Sequence, residues 1–244
     1  MSVVRRARGW IAVRLSRLLL EAAEHRLRER RIGTSLVGAE VTGLDRIRMQ
    51  GRNRIGRNTT FGRDVELGLA STIGERNFIV GPVSIGNYTQ FGPGVFVYGQ
   101  NHALSTLTPF AERALFDGRL RREYEYKPVW VGHSVWVGCN SVLLPGASIG
   151  NGAVIGAGSV VAGHIPPYAI AVGNPARVIR RRFDDDTIAR LEAIEWWTRT
   201  PEELKPIEPV FHVDLTEQPD VLYQLAPAVP AGRTDGGARA DENP

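Results

Sequence analysis

Apolar residues recur every six positions along most of this chain. Ile55, Phe61, Leu67, Ile73, Ile79, Ile85, Phe91 and Val97 are each six apart, and the count resumes at Val131, Val137, Leu143, Ile149, Ile155 and Val161. Upstream, Val37, Gly43 and Met49 keep the phase with weaker residues, as a terminal coil would. A small or β-branched residue follows many of them four places on: Val65, Ser71, Val83, Thr89 and Val95 before the break, then Val135, Ser141, Ala147, Ala153, Ser159 and Ile165. This period fits neither an amphipathic helix, at 3.6 residues per turn, nor the alternation of a long strand. It fits short strands running round a polygon, each side turning one apolar residue inward. Stacked coils about 4.8 Å apart then pair their backbone groups. The pattern predicts an all-β solenoid over 37–166. Glycine often follows the inward residue, where it is expected to ease a tight turn.

The period breaks once. Val97 and Val131 are 34 residues apart, which is not a multiple of six. A loop insertion over about 98–130 is expected, and long loops in compact proteins are often functional. Tyr124, Tyr126 and Trp130 favour an ordered one. Outside the solenoid, the stripe Ile11, Leu15, Leu18, Leu19, Ala22 and Leu27 predicts a basic amphipathic helix over 10–31, within an N-terminal region 1–36. An exit segment and C-terminal helix occupy 167–203, the helix itself spanning 184–197. Residues 204–244 form a proline-rich tail, expected to be partly disordered.

Charge refines this outline. The 244 residues carry a formal net charge of +4, yet residues 1–36 alone hold nine arginines against three glutamates. No recognition motif accompanies those arginines, so nucleic-acid binding is not expected. The helix is expected to pack on the solenoid, with peripheral membrane contact as the alternative. Arg14 and Arg17 interrupt its apolar run, which argues against a signal peptide. No run reaches the roughly 20 apolar residues of a membrane span. The lone Cys139 excludes an internal disulfide framework. A cytoplasmic protein is expected, with the inner membrane face as the alternative site.

His102 leads the candidates for chemistry, because it stands in Tyr98-Gly-Gln-Asn-His102 where the coils give way to the insertion. An imidazole can take a proton near neutral pH. His133 and His164 follow at spacings of 31 and 31, which is not a zinc-ligand pattern, and no metal is expected. Cys139 has no neighbouring base to activate it. Small residues around Gly138, Ser141, Gly156, Ala157 and Gly158 could bed a long cofactor arm. Arg177 and Arg180 could meet its phosphates, or form a solvated basic edge. The glycine pairs lack the strand, turn and helix setting of a dinucleotide fingerprint.

Several motifs resemble one family. They are Asn101-His102 followed by Pro109-Phe110; Val135-Trp-Val-Gly138; Ala169-Ile-Ala-Val-Gly-Asn-Pro-Ala-Arg177; Arg182-Phe-Asp-Asp-Asp-Thr-Ile-Ala-Arg-Leu191; and Ile194-Glu-Trp-Trp197. Over about 47–203 the chain resembles the hexapeptide-repeat, left-handed β-helix acyltransferases, especially the xenobiotic branch of chloramphenicol and streptogramin acetyltransferases. The resemblance implies left-handed coils, a homotrimer with sites between adjacent prisms, and acetyl-CoA as acyl donor without a metal. It implies that His102 is the general base. It places Trp136 and Gly138 where the acceptor and pantetheine are shaped, Ala157 at the pantetheine and Arg177 near the nucleotide end of CoA; Ser141 and Arg180 join them as cofactor candidates, and Tyr98, Asn101 and Tyr124 are the acceptor candidates. No carboxylate is placed to orient His102. A sugar, nucleotide sugar or surface-glycan precursor, as in polysaccharide biosynthesis, is the expected hydroxyl acceptor. Alternatives are a hydroxylated antibiotic, a sugar amine, or a non-catalytic trimeric scaffold.

Overall fold

A coil takes three hexads, so Arg54 lies beside Thr72 and Thr72 beside Gln90, each 18 residues on. The computed structural model describes residues 30–109, 116–119 and 124–225. About seven coils form a left-handed parallel β-helix, the hand opposite to ordinary parallel crossovers. Its first face contains Ser35–Val37, Arg54–Ile55, Thr72–Ile73, Gln90–Phe91, Trp136–Val137, Val154–Ile155 and Ala169–Gly173. The second face runs from Thr60–Phe61 through Phe78–Val80, Phe96–Tyr98 and Val142–Leu143 to Val160–Val161. The third runs from Ile47–Met49 to His164–Ile165. An antiparallel strand covers each end of the first face: Arg30–Ile32 beside Ser35–Val37, and Ala176–Arg181 beside Ala169–Gly173.

The core is the inward column of each face. Ile55, Ile73, Phe91, Val137 and Ile155 stack beneath the first, and Phe61, Ile79, Val97, Leu143 and Val161 beneath the second; all are at most 2% exposed. Each such burial stabilises by about 1.5–3 kcal/mol. Polar companions at the corners are buried too, and bond to backbone of the next coil. Ser71 Oγ donates to Gly86 O (2.7 Å), Thr89 Oγ1 to Gly132 O (2.8 Å) and Asn53 Nδ2 to Gly68 O (2.6 Å). Without these bonds each would carry a desolvation cost of about 1–3 kcal/mol.

Glycine after the inward residue has a different role from the expected one. The left-handed backbone falls two residues later, at Asn58, Asp64, Ala70, Arg76, Tyr88, Ser134 and Asn140, among others. Most of the glycines themselves face the backbone of the next coil; Gly62 and Gly156 face the Val80 and Val172 side chains. A Cβ on Gly86 would lie 2.6 Å from the Gly132 carbonyl carbon and 2.7 Å from His133 N. Close approach, rather than torsional freedom, excludes a side chain there.

Three expected boundaries move. Most of the helix anticipated over 10–31 lies outside the described residues, but Arg30–Ile32 is a strand. Gly33, at φ +58, reverses the chain into Ser35–Val37, which pairs in parallel with Arg54–Ile55. Residues 30–36 therefore belong to the solenoid, not to a helical region. At the other end, Ala169–Gly173 still pairs in parallel with Val154–Ile155, so the solenoid passes residue 166. The chain divides into two compact units at Arg182 and Phe183, inside the span read as one exit segment. Arg182 closes the first unit by donating to Gly152 O (2.8 Å) and lying over the Tyr168 ring; burial lowers its pKa.

The second unit begins with helix α1, Asp185–Ile194. The Asp184 carboxylate accepts from Thr187 N (2.8 Å) as its N-cap; hydrogen bonding from the Thr187 side chain first, and then from its N–H, holds that carboxyl below its usual pKa. The helix stops three residues short of the expected Trp197 because Glu195 turns to φ 43. Trp196 then packs edge-on to Trp197 and Phe211. Within the tail read as partly disordered, Lys205–His212 and Pro219–Gln224 form 3-10 turns; residues 226–244 lie outside the described residues.

Gly86→Ala is expected to destabilise the protein by about 1–3 kcal/mol, because neither contacting backbone can move aside freely. Gly163→Ala, with nothing within 4 Å of its Cβ, is expected to change stability by less than about 1 kcal/mol. Thermal unfolding followed by circular dichroism checks the contrast; equal losses would contradict the close-approach explanation.

Candidate active site

Gln90 pairs with Trp136, a step of 46 residues in place of 18, so the insertion adds 28 residues at one corner. Val97 still pairs with Leu143, leaving the coil itself uninterrupted. The insertion departs between the second and third faces as a hairpin of Gln100–His102 and Tyr124–Tyr126. Its root is tied down by Gly99 N–H to Val80 O (2.7 Å) and Lys127 N–H to Gly99 O (2.9 Å). The Arg63 guanidinium donates to the Tyr126 hydroxyl and lies 5.2 Å from its ring centroid. Strand alternation places Gln100 and His102 on one side, with their partners Tyr126 and Tyr124. His102 and Tyr124 meet edge to face at 5.6 Å.

His102 is exposed, and its Nδ1 lies 2.9 Å from the carbonyl oxygen of Pro109. A carbonyl only accepts, so in that bond Nδ1 must carry the hydrogen. Nε2 is then the nitrogen with a free lone pair. The orienting group absent from the sequence is thus main chain. Asn101 Oδ1 accepts from His102 N–H (2.9 Å), which fixes the strand at the histidine. Alternation sets Asn101 on the opposite side from His102, beside Glu125.

The cofactor candidates lie elsewhere on the prism. Trp136 stands outward on the first face, 55% exposed, between Gln90 and Val154. Gly138 is buried at the corner of the first and second faces, where a Cβ would sit 2.5 Å from Ala157 N. Ala157 is exposed at that corner. Arg177 and Arg180 are exposed on Ala176–Arg181, and each donates to a main-chain carbonyl, of Ala176 (2.9 Å) and Arg181 (3.2 Å). Ser141 departs from expectation. It is 0% exposed and its hydroxyl donates to Gly156 O (3.1 Å), so its side chain faces the coil interior rather than a ligand. Tyr98 lies on the second face, 5.8 Å from Phe78.

Within one chain, His102 leaves from one edge of the second face, while Gly138 and Ala157 occupy the other. A single copy does not bring base and cofactor candidates together. His133 Nδ1 accepts from Asn87 N–H (2.8 Å), in a ladder where Asn87 Oδ1 accepts from Leu69 N–H and Asn151 Oδ1 from His133 N–H. His164 is exposed on the third face, and Cys139 is half-buried. Among the described residues, no group of three or more His, Cys, Asp or Glu could hold a metal. No described helix is long and apolar enough to cross a membrane. Arg63 and Gln100 have no signature in the sequence, where Tyr124, Tyr126 and Trp130 indicate only an ordered loop.

Residues 128–163 match the family described as bacterial transferase hexapeptide (six repeats). A probable macrolide acetyltransferase of Lysinibacillus sphaericus is 34% identical over 135 residues, covering 52% of this chain and 75% of that one. The chain belongs to the hexapeptide-repeat acetyltransferase family. A chloramphenicol acetyltransferase of Agrobacterium fabrum is 46% identical over 80 residues, 33% of this chain and 38% of that one. Another, of Klebsiella aerogenes, is 33% identical over 134 residues, 52% of this chain and 64% of that one. The chain thus spans less than two thirds of the length of either chloramphenicol relative.

The hydrogen bond to Pro109 sets the expected tautomer of His102. Long-range proton–nitrogen NMR of the neutral imidazole should show a protonated Nδ1 and an unprotonated Nε2. The opposite pattern would remove Nε2 as a base.

Proposed function

We propose that this hexapeptide-family chain is an acetyl-CoA-dependent O-acetyltransferase with His102 as general base. The bond from Nδ1 to Pro109 O carries this assignment, because it leaves the Nε2 lone pair open beside the hairpin face. Nε2 takes the proton of an acceptor hydroxyl as its oxygen attacks the thioester carbonyl of acetyl-CoA. The tetrahedral intermediate collapses, the C–S bond breaks, and the CoA thiolate receives the proton from the imidazolium. An acetyl ester and free CoA result, with no acyl-enzyme.

The separation of His102 from Gly138 and Ala157 supports a homotrimer in which one copy's hairpin reaches the next copy's corner. Trp136, Gly138 and Ala157 would line the pantetheine arm there, with Arg177 and Arg180 toward the nucleotide phosphates. The acceptor is the hydroxyl of a sugar, nucleotide sugar or surface-glycan precursor, supported by the Tyr124 and Tyr126 rings on the hairpin. A hydroxylated antibiotic is the second acceptor reading, favoured by the names of the macrolide and chloramphenicol relatives.

His102→Ala should leave the solenoid folded and lower kcat/KM by about 10²-fold or more. Mass detection of acetylated products from nucleotide sugars, glycans and antibiotics measures this and separates the acceptors; unchanged kcat/KM would sink the base assignment. The shared site has its own check. Trimers reassembled from His102→Ala and Ala157→Trp chains should regain roughly a quarter of wild-type activity, well above either parent. No recovery from a mixture shown to exchange subunits would place the whole site within one copy.

A further inference from the structure

The side chain of Gln100 is not explained by the fold. Its Oε1 is buried, yet no hydrogen-bond donor reaches it. A buried acceptor without a partner costs about 1–3 kcal/mol, and native proteins retain few of them. Corner amides elsewhere are satisfied: Asn77 Oδ1 accepts from Val95 N–H (2.7 Å) and Asn87 Oδ1 from Leu69 N–H (2.8 Å). Gln100 differs from these in lying on the inserted hairpin rather than in a coil.

Its position relates it to the proposed base. Gln100 and His102 are two apart on one strand, so their side chains emerge on the same side, about 7 Å apart along it. Tyr126 and Tyr124 are their cross-strand partners, and the His102–Tyr124 ring contact marks that side. Tyr126 is engaged by Arg63, which braces the hairpin next to Gln100. One face thus carries a proton acceptor in His102 Nε2, two aromatic rings, and an unfilled carbonyl.

We propose that Gln100 is a specificity-determining residue: its Oε1, covered in the free chain, is turned outward when the acceptor molecule binds and accepts a hydrogen bond from a second donor of that molecule. The required chemistry is an O–H or N–H near the hydroxyl presented to His102, as on a polyhydroxylated ring. An acceptor lacking that donor leaves the carbonyl unpaired and is disfavoured. This rests on the acetyltransferase reading above, and adds to it a requirement for two polar groups on one molecule.

Gln100→Met keeps the length of the side chain and removes the amide. Wild type and variant would be compared with methyl galactoside, UDP-N-acetylglucosamine and chloramphenicol as acceptors, alongside thermal unfolding. For the acceptor that wild type uses, KM should rise about tenfold, while kcat and the acetyl-CoA KM stay within about twofold. The unfolding midpoint should hold or rise, since an unpaired buried acceptor has been removed. An unchanged acceptor KM, or a midpoint lowered by several degrees, would overturn the proposal, the latter by showing that the amide serves the fold. Wild-type enzyme inactive on every acceptor would instead remove the acetyltransferase reading, and this inference with it.

Discussion

Backbone meets backbone at most of the glycines that follow an inward residue, and the stacking of the prism depends on that contact. Gly56 faces Gly74, Gly74 faces Gly92, and Gly86 faces Gly132, each leaving no room for a Cβ. The spacing that results lets every coil pair its amides with the next, as in Gly56 N–H to Ile73 O and Gly74 N–H to Phe91 O. Apolar columns then align without further instruction, because the residues before the glycines already share a register. A side chain wedged at one such point would disturb both the ladder and the columns on either side.

That rigidity also explains how a 28-residue insertion is accommodated. Pairing of Val97 with Leu143 and of Val131 with Ile85 and Ile149 continues past it. The hairpin draws its orientation from the corner below, through Gly99, Lys127, Arg63 and Tyr126. Chemistry can vary on the hairpin while the coils remain as they are.

Much of this was legible in the residues alone, because the solenoid writes its geometry as a short local period. The break at Val97 likewise pointed to His102. Contacts between distant residues were not legible: Arg63 and Tyr126 are 63 apart, and a main-chain carbonyl such as that of Pro109 has no signature in composition. Ser141 is instructive because the period did contain the answer. It occupies the same place in its hexad as Ser71 and Thr89, where a hydroxyl bonds inward across the corner. The N-terminal strand was hidden for another reason. Arginine-rich sequence is compatible with helix, and only the turn at Gly33 followed by pairing with Ser35–Val37 makes Arg30–Ile32 extended.

The reversed strands at both ends of the first face bear on how copies of the protein meet. A parallel stack presents an edge that could template another coil. Here each end of that face offers a strand running the opposite way, carrying Arg31 at one end and Arg177, Arg180 and Arg181 at the other. Two molecules approaching head to tail along this face would bring guanidinium against guanidinium. Like charge on reversed strands therefore opposes the addition of a further parallel coil at either end of that face.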